Sequence, residues 1–355
     1  MARIIFVLPV GGGAGGAHSV VQEVTAMRDM GVEASVLVNG ANAEKFRATY
    51  DRFDWVREGG LDVFDGPREL AQKAAGAEVL VATTNTSVHS VAEALRQMRG
   101  VAPRTGYYVQ DYEPLFYEAG TSEHAVAVAS FAVLKDCTYF AKTNWLTGVV
   151  QAAHGHEARL VVPSIDHAIY RPAPRPVRAT RMVTAMVRPA TPRRAPRRTL
   201  GLLARIAAGE FGPAEVMAFG ADAEELAAHG LAASDGMRLA GHLKQTEVAA
   251  LLREADIFLD LSDYQAFGRT AAESMACGCI ALAPALGGAA DFIEDGVNGF
   301  LADTCDEAAV SRAVRQMLSL SEAELRAVRL AGLETVAAYT PVRAAISELR
   351  ALGIG

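Results

Sequence analysis

Apolar residues fall along this chain in two alternating textures. Arg3 to Val10 (RIIFVLPV) is a nearly continuous run rich in β-branched side chains, the pattern of a parallel strand buried on both faces. After a glycine-rich stretch, Val20, Val21, Val24 and Met27 recur on one face of a helix that Gly31 stops. The alternation predicts further strands at 33–40, 61–64, 78–82, 105–109, 138–141 and 158–161. Helical patterns at 67–75, 87–98, 122–135 and 144–153 stand between most of them. A second series begins at Met182, with strands at 182–187, 215–219, 237–240 and 257–260 and helices at 195–208, 224–229 and 245–254. Each series predicts an open, doubly wound parallel α/β sheet, whose ligand crevice lies beyond the carboxyl ends of the strands.

A chain of 355 residues exceeds what one hydrophobic core usually serves, and the crossing between the two series supplies a boundary. Its sequence, PSIDHAIYRPAPRPVRATR, carries Pro163, Pro172, Pro174 and Pro176, which favour an extended, semi-rigid connector. The expected division is 1–171, 172–340 and a tail, 341–355. Ala344, Ile346, Leu349 and Leu352 make that tail amphipathic, so it is expected to pack on the first domain, with membrane attachment as the alternative.

Composition narrows the function. A net charge of −7 argues against general nucleic-acid binding. Cys137, Cys277, Cys279 and Cys305 show neither metal-site nor disulfide spacing, and read as buried small side chains in a reducing cytoplasm. The apolar run Ile4 to Val10 is too short for a membrane span and lacks the pattern of a signal peptide. A cytoplasmic protein is expected.

Against this acidic balance, no acid stands between Asp166 and Glu210, while arginine recurs at 171, 175, 178, 181, 188, 193, 194, 197, 198 and 205. Arg188 ends a strand and Arg193 lies in the turn RPATPRR, where both can face a diphosphate. Arg194, Arg197 and Arg198 lie near the first turn of a helix, an unfavourable place for cations unless an anion is near. A solvated basic edge is the other reading.

Gly11, Gly13 and Gly16 satisfy a dinucleotide fingerprint, but the second strand ends in Asn39 where such an enzyme needs an acid for the ribose. That disfavours an NAD-dependent oxidoreductase. The glycines read instead as close approach to a phosphate or sugar, or as tight packing. Two more segments fall at carboxyl ends of strands: Thr83 to Ser87, containing Asn85, and YYVQDYEPLFYEAG at 107–120. The latter mixes Tyr107, Tyr108, Tyr112, Phe116 and Tyr117 with Gln110, Asp111 and Glu113, which suits a sugar's apolar faces and hydroxyls. Aromatic core packing is the alternative. In the second half, Asp260 to Leu301 reads as strand, phosphate-facing turn, helix, short strand and Gly-Gly turn, with Gly268, Gly287 and Gly288 where backbone meets ligand. Glu273 lies about two helical turns after Gln265, completing a nucleotide site.

Together IDHAIYRP, Arg188 with Arg193, GHLKQTEVAALLREADIFLDLSDYQAFG and ESMACGCIALAPALGGAADFIEDGVNGFL resemble the family 4 nucleotide-sugar glycosyltransferases. The resemblance spans nearly the whole chain, and YYVQDYEPLFY with RPATPRR is most similar to a bacterial rhamnosyltransferase-like subgroup. It implies the GT-B architecture, two facing Rossmann-like domains with an interdomain cleft, acceptor side first and donor side second. It also implies roles: Glu273 on the ribose hydroxyls, backbone N–H groups around Phe267, Gly268, Arg269 and Thr270 on phosphate, and Arg188 and Arg193 on the departing diphosphate. His242 and Leu243 match the base site, Gly287 and Gly288 the sugar region, and Gly15 and Gly16 the turn that closes on the donor. Gln110, Tyr112 and Asn85 are the acceptor-side candidates.

Two positions depart from the family pattern. Gln265 stands where a glutamate is common, and Gln110 where a histidine is common. The implied reaction is retaining transfer of a sugar, rhamnose or another deoxysugar among the candidates, to a glycan or lipid-linked hydroxyl. No metal or other cofactor is implied, since arginines and a helix N-terminus can replace Mg2+, and Asp111 or Glu113 can assist the acceptor proton. Peripheral contact with the inner membrane surface fits a lipid-linked acceptor. A catalytically silent sugar-nucleotide binder with the same fold is the rival reading.

Overall fold

The computed structural model describes residues 2–13, 15–175 and 178–354, so Pro176 of the proline-rich crossing lies outside the described residues. The chain forms two compact units: Met1–Ser164 with Tyr339–Gly355, and Ile165–Ala338.

The strands of the first unit are β1 (Arg3–Val7), β2 (Glu33–Asn39), β3 (Leu61–Phe64), β4 (Val79–Ala82), β5 (Arg104–Val109), β6 (Thr138–Ala141) and β7 (Ala158–Leu160). All pair in parallel, in the order β3-β2-β1-β4-β5-β6-β7. Central strands are buried almost end to end, whereas the edge strand β7 is largely exposed. That is why β1 and β4 read as unbroken apolar runs: helices cover both faces of a parallel sheet.

The second unit repeats the architecture with β8 (Arg181–Met186), β9 (Ala214–Phe219), β10 (Met237–Leu239), β11 (Ile257–Leu259), β12 (Ile280–Pro284) and β13 (Phe300–Ala302). Its order is β10-β9-β8-β11-β12-β13, again all parallel. Leu200, Leu203 and Ile206 from helix Pro196–Ala207 join Val183, Ile257 and Leu282 in one core.

Some elements differ from the sequence reading. The helix expected over 122–135 ends at Ala129. Phe131 instead turns inward, stacks on His154 and offers its carbonyl to Tyr139 and His156, and these contacts outweigh one more helical turn. Helices at Gly40–Thr49, Asp54–Arg57, Glu307–Ser319 and Glu322–Ala337 were not anticipated. The first buries only Ala43 and Phe46, too few apolar positions to read, whereas Val310, Val314 and Met317 of the third do carry a helical spacing.

The units divide after Ser164, ahead of the expected 171/172 boundary. The crossing is already committed to the second unit: Arg253 donates to the Ile169 carbonyl at 3.1 Å, and Arg175 bonds the carbonyls of Ala255 and Cys277. The tail helix, Pro341–Ala351, is part of the first unit and places Ala345 and Leu352 in its core. Arg104 donates to the Leu352 carbonyl at 2.6 Å. Behind it, fully buried Glu23 accepts from Ser164 at 2.6 Å and pairs with Lys142 at 3.3 Å, facing Glu348. Burial and the Glu23 charge hold the Glu348 carboxyl well above the usual carboxylate range.

Candidate functional site

In the second sheet the chain order reverses between β8 and β11, so the segments leaving these two strands flank a topological switch point. Arg188 is the second residue after β8 and is exposed. Its Nε meets Met186 Sδ at 3.1 Å, and among the described residues it forms no ion pair. Desolvation and then the like charge of Arg193 lower its proton affinity, opposed by Asp260. The turn that follows is closed by Thr191 N–H to the Arg188 carbonyl at 3.1 Å, and Ala195 takes a positive φ of 47° before the helix starts. This folds Arg193 back over the Tyr264 ring, 5.5 Å from its centroid, while the Arg193 carbonyl accepts from Asp263 N–H at 2.9 Å. Two like-charged guanidiniums are thus gathered beside the loop after β11.

The other arginines of the basic stretch mostly tie the unit together. Arg198 donates to the Leu261 carbonyl at 2.7 Å and pairs with Asp263 at 2.6 Å. Arg197 reaches the carbonyls of His229 and Gly230 behind helix Ala223–Ala228. Arg178 pairs with Glu254 at 2.8 Å, Arg205 pairs with Glu210 and Glu307, and Arg194 lies 4.0 Å from Asp260. The partners of these arginines are acids and backbone carbonyls of the same unit, while Arg197 itself stays exposed as in the alternative reading of a solvated edge.

After β11 the chain makes a buried loop, Asp260–Gly268, and Gly268 at φ 89° starts helix Arg269–Ala276. First-turn N–H groups of such a helix have no intrahelical acceptors and favour an anion. Phe267 packs on Phe292 at a centroid distance of 5.2 Å, and Thr270 follows in the first turn. Glu273 is 5% exposed, and Arg269 Nε donates to its Oε1 at 2.9 Å. The Tyr170 hydroxyl, from the crossing, bonds the same carboxylate. Burial raises the Glu273 proton affinity, and Arg269 and Tyr170 counter it.

Gly287 (φ 116°) is pressed against Gln265: a Cβ there would lie 2.1 Å from the Gln265 carbonyl oxygen. Gly288 N–H donates to that same oxygen at 2.8 Å. The nearest neighbour of this glycine pair is therefore the protein's own backbone. His242 is exposed after β10 and bonds Glu225 at 2.8 Å, with Leu243 half-buried beside it.

In the first unit the switch point lies between β1 and β4. Gly12 and Gly13 take positive φ, and helix Gly15–Asp29 follows. Gly11 packs on Lys45 and Asn42, and Gly12 on Tyr50 and Thr49, so these two serve packing. Gly16 faces the Gln110 amide, whose Oε1 is buried and accepts no hydrogen bond from the described residues. Asp111 caps the Tyr112 N–H at 2.9 Å, and the Tyr112 hydroxyl meets His154 at 3.0 Å. Tyr107 and Tyr108 are core residues, 1% and 0% exposed, and Tyr108 donates to Glu23, which corrects their reading as sugar-stacking rings. Phe116 remains exposed and Tyr117 half-buried.

Glu113 is the chemically distinctive group here. It sits at the start of helix Asn85–Gln97, accepting from the Asn85 backbone N–H and from its side chain. Burial pushes its pKa up to about 7, the Asn85 bonds oppose this and the Asp111 charge adds to it. A carboxyl that titrates near neutrality can take and return a proton.

Asp260, Ser262, Tyr170 and Tyr264 were not assigned roles from sequence. Asp260 had a readable signal, a lone acid inside the apolar run IFLDL. Among the described residues no group of three or more His, Cys, Asp or Glu could hold a metal ion, and no helix is long and apolar enough to cross a membrane. Cys277 and Cys279 are buried, but Cys137 is only half-buried and Cys305 is exposed, which corrects the reading of all four as interior.

Residues 177–331 match the family model described as glycosyl transferases group 1. The chain is 31% identical over 227 residues to the O-antigen biosynthesis protein RfbC of Myxococcus xanthus, covering 62% of this chain and 16% of that protein. It is 35% identical over 99 residues to a D-inositol 3-phosphate glycosyltransferase of Geodermatophilus obscurus, covering 28% of this chain and 22% of the relative. The chain therefore spans only a minor part of the length of these relatives. In fold it matches Anabaena HepE in complex with UDP and glucose, with a TM-score of 0.77, 16% identity and coverage of 99% and 100% of the two chains. It also matches the lipopolysaccharide outer core galactosyltransferase WaaB in its apo form, with a TM-score of 0.70, 14% identity and 99% coverage of both chains. Both units are Rossmann-like, and the fold is that of GT-B glycosyltransferases.

Proposed function

We propose that this chain, with the group 1 glycosyl transferase pattern in its second unit and the GT-B fold throughout, transfers a sugar from a nucleoside-diphosphate donor to a hydroxyl acceptor. The observation that carries this reading is the crowding of Arg188 and Arg193 at the switch point. Two guanidiniums repel each other, and a diphosphate leaving group compensates both. In this reading the glycosidic C–O bond to the diphosphate breaks as the acceptor oxygen bonds to the anomeric carbon. Arg188, Arg193 and the amides at the start of helix Arg269–Ala276 take up the charge that grows on the leaving oxygen.

The donor site needs no metal in this reading, because fixed cations and a helix terminus supply the positive charge. Glu273 accepts the ribose hydroxyls through the oxygen capacity that Arg269 and Tyr170 leave, and those two residues fix its orientation. Gly268 and the Gly287–Gly288 turn border the sugar-phosphate, and His242 and Leu243 the base. An acceptor hydroxyl bound on the first unit, near Gln110, Tyr112 and Asn85, finds Glu113 able to receive its proton near neutrality. Transfer with retention, a deoxysugar such as rhamnose, a glycan or lipid-linked acceptor and work at the cytoplasmic membrane face complete the proposal. The O-antigen relative and the UDP-bound fold neighbour support a surface-polysaccharide setting and a nucleotide-sugar donor.

A thermal-shift screen against UDP, GDP, ADP and dTDP tests the reading. One of them should stabilise the protein by about 2.7 kcal/mol at about 100 times its Kd. No shift with any nucleotide would sink the proposal; binding with no transfer or donor hydrolysis would leave a sugar-nucleotide binder.

A further inference from the structure

The loop after β11 contains a closed set of hydrogen bonds that no sequence motif announces. Asp260 is 9% exposed and Gln265 4% exposed. Asp260 Oδ1 accepts from the Ser262 N–H at 3.0 Å and from its hydroxyl at 2.5 Å, and Oδ2 accepts from Gln265 Nε2 at 2.5 Å. Gln265 Nε2 also donates to the Ser262 hydroxyl at 3.1 Å. Thr304 holds the Ser262 carbonyl at 2.6 Å, and the Gln265 carbonyl is held by Gly288. The amide has one donor end and one acceptor end, and only the donor end can face a carboxylate. Both N–H groups of Gln265 are therefore committed, and its Oε1 is left as a pure acceptor that none of the described residues engages.

We propose that Asp260 is a positioning residue that locks Gln265 as a one-way acceptor for a hydroxyl of the donor sugar. This rests on the nucleotide-sugar reading of the site. Asp260 also keeps a negative charge at the arginine cluster while residue 265 stays neutral: Arg194 lies 4.0 Å from its Oδ2, and its charge reaches Arg188. A glutamate at 265 would set a second carboxylate against the first, so the glutamine and the aspartate are one device. A sugar presenting a hydroxyl donor toward Oε1 gains a bond, whereas one presenting only an acceptor there gains none.

Three variants test this: Asp260→Asn, Gln265→Glu and the double variant Asp260→Asn/Gln265→Glu. The first readout needs no ligand. In Gln265→Glu the introduced carboxyl faces Asp260, with Arg188, Arg193 and Arg194 across the site and Asp263 tied to Arg198. The Asp260 charge raises its folded pKa above the unfolded value of about 4.3, so its stability falls relative to wild type as pH rises through and above that value. The double variant should lose that extra pH dependence. The second readout compares each nucleoside diphosphate with its sugar conjugate, using UDP-glucose, UDP-galactose, GDP-mannose and dTDP-rhamnose, and follows the conjugate that wild type favours most over its own diphosphate.

Asp260→Asn frees the amide to turn and should weaken that conjugate about tenfold relative to its bare diphosphate, whose own affinity holds or rises because the lost negative charge opposed the arginine cluster. The double variant, with an acceptor restored at 265, should recover most of the tenfold. Equal weakening of conjugate and diphosphate, or no pH dependence in Gln265→Glu, would overturn the proposal. Failure of wild type to bind any nucleotide would overturn the nucleotide-sugar reading, and the sugar role with it, while the pH series still reports on the lock.

Discussion

The loops at the two switch points are built on opposite plans. After β11, the two buried acids close on neighbouring side chains: Asp260 on Ser262 and Gln265, Glu273 on Arg269 and Tyr170. After β5, among the described residues, Glu113 accepts hydrogen bonds from Asn85 and has a pKa of about 7, and the buried Gln110 Oε1 accepts none. The first plan presents fixed charges and dipoles that cost no reorganisation when charge develops on a ligand. The second keeps groups whose protonation and partners change on binding. In the proposed reading, a nucleoside-diphosphate sugar suits the first, and an acceptor that must lose a proton suits the second.

The comparison breaks most readily at Arg188. If the second unit works by fixed charge, Arg188→Ala should lower kcat on the order of 10²- to 10³-fold with little change in KM for the acceptor. Steady-state kinetics with the donor found in the nucleotide screen measures it. Unchanged turnover would remove Arg188 from the leaving-group role and leave Arg193 and the helix terminus to carry it.

The first unit is tested next, through pH. A base with a pKa of about 7 makes kcat/KM rise with pH to a plateau above about pH 7. Glu113→Gln should flatten that limb and cost on the order of 10²-fold at the plateau. Stability gives an independent sign: the folded pKa of Glu113 lies above its unfolded value, so its contribution is present below pH 4.5 and is lost as pH rises through about 7. The glutamine variant should therefore gain stability relative to wild type on going from pH 5 to pH 8. A limb that survives in Glu113→Gln would assign it to another group.

These two sites were not equally legible. Strand ends were read well because a buried parallel strand advertises itself by an unbroken apolar run, and this alone put Arg188, Gln110 and Thr83–Ser87 at carboxyl ends. What a side chain meets there is non-local. Tyr107 and Tyr108 looked suited to a sugar, yet alternate with the sheet into two buried faces. Arg197 and Arg198 looked like cations in search of an anion, and their partners are backbone carbonyls and an acid 65 positions away, as for Arg198 and Asp263. Carbonyl acceptors belong to every residue and leave no trace in a sequence. Asp260 was passed over for the related reason that its meaning depends on Gln265 and Ser262 closing around it.

The smallest effect separates the two loops by their glycines. Gly287 takes φ 116° and a Cβ there would meet the Gln265 carbonyl oxygen at 2.1 Å, backbone against backbone with nothing flexible to yield. Gly287→Ala should cost at least about 1 to 3 kcal/mol, from the disfavoured conformation alone. Gly16 sits in the first turn of a helix, and its Cβ would meet only the free end of the Gln110 side chain at 2.8 Å. Gly16→Ala asks that amide to swing aside, and the alanine gains helix propensity of up to about 1 kcal/mol, so the two terms nearly cancel. Urea denaturation of both variants measures the contrast. Equal losses at the two positions would mean that the first-unit loop is clamped as tightly as the second, and the division between a fixed and an adjustable loop would fall.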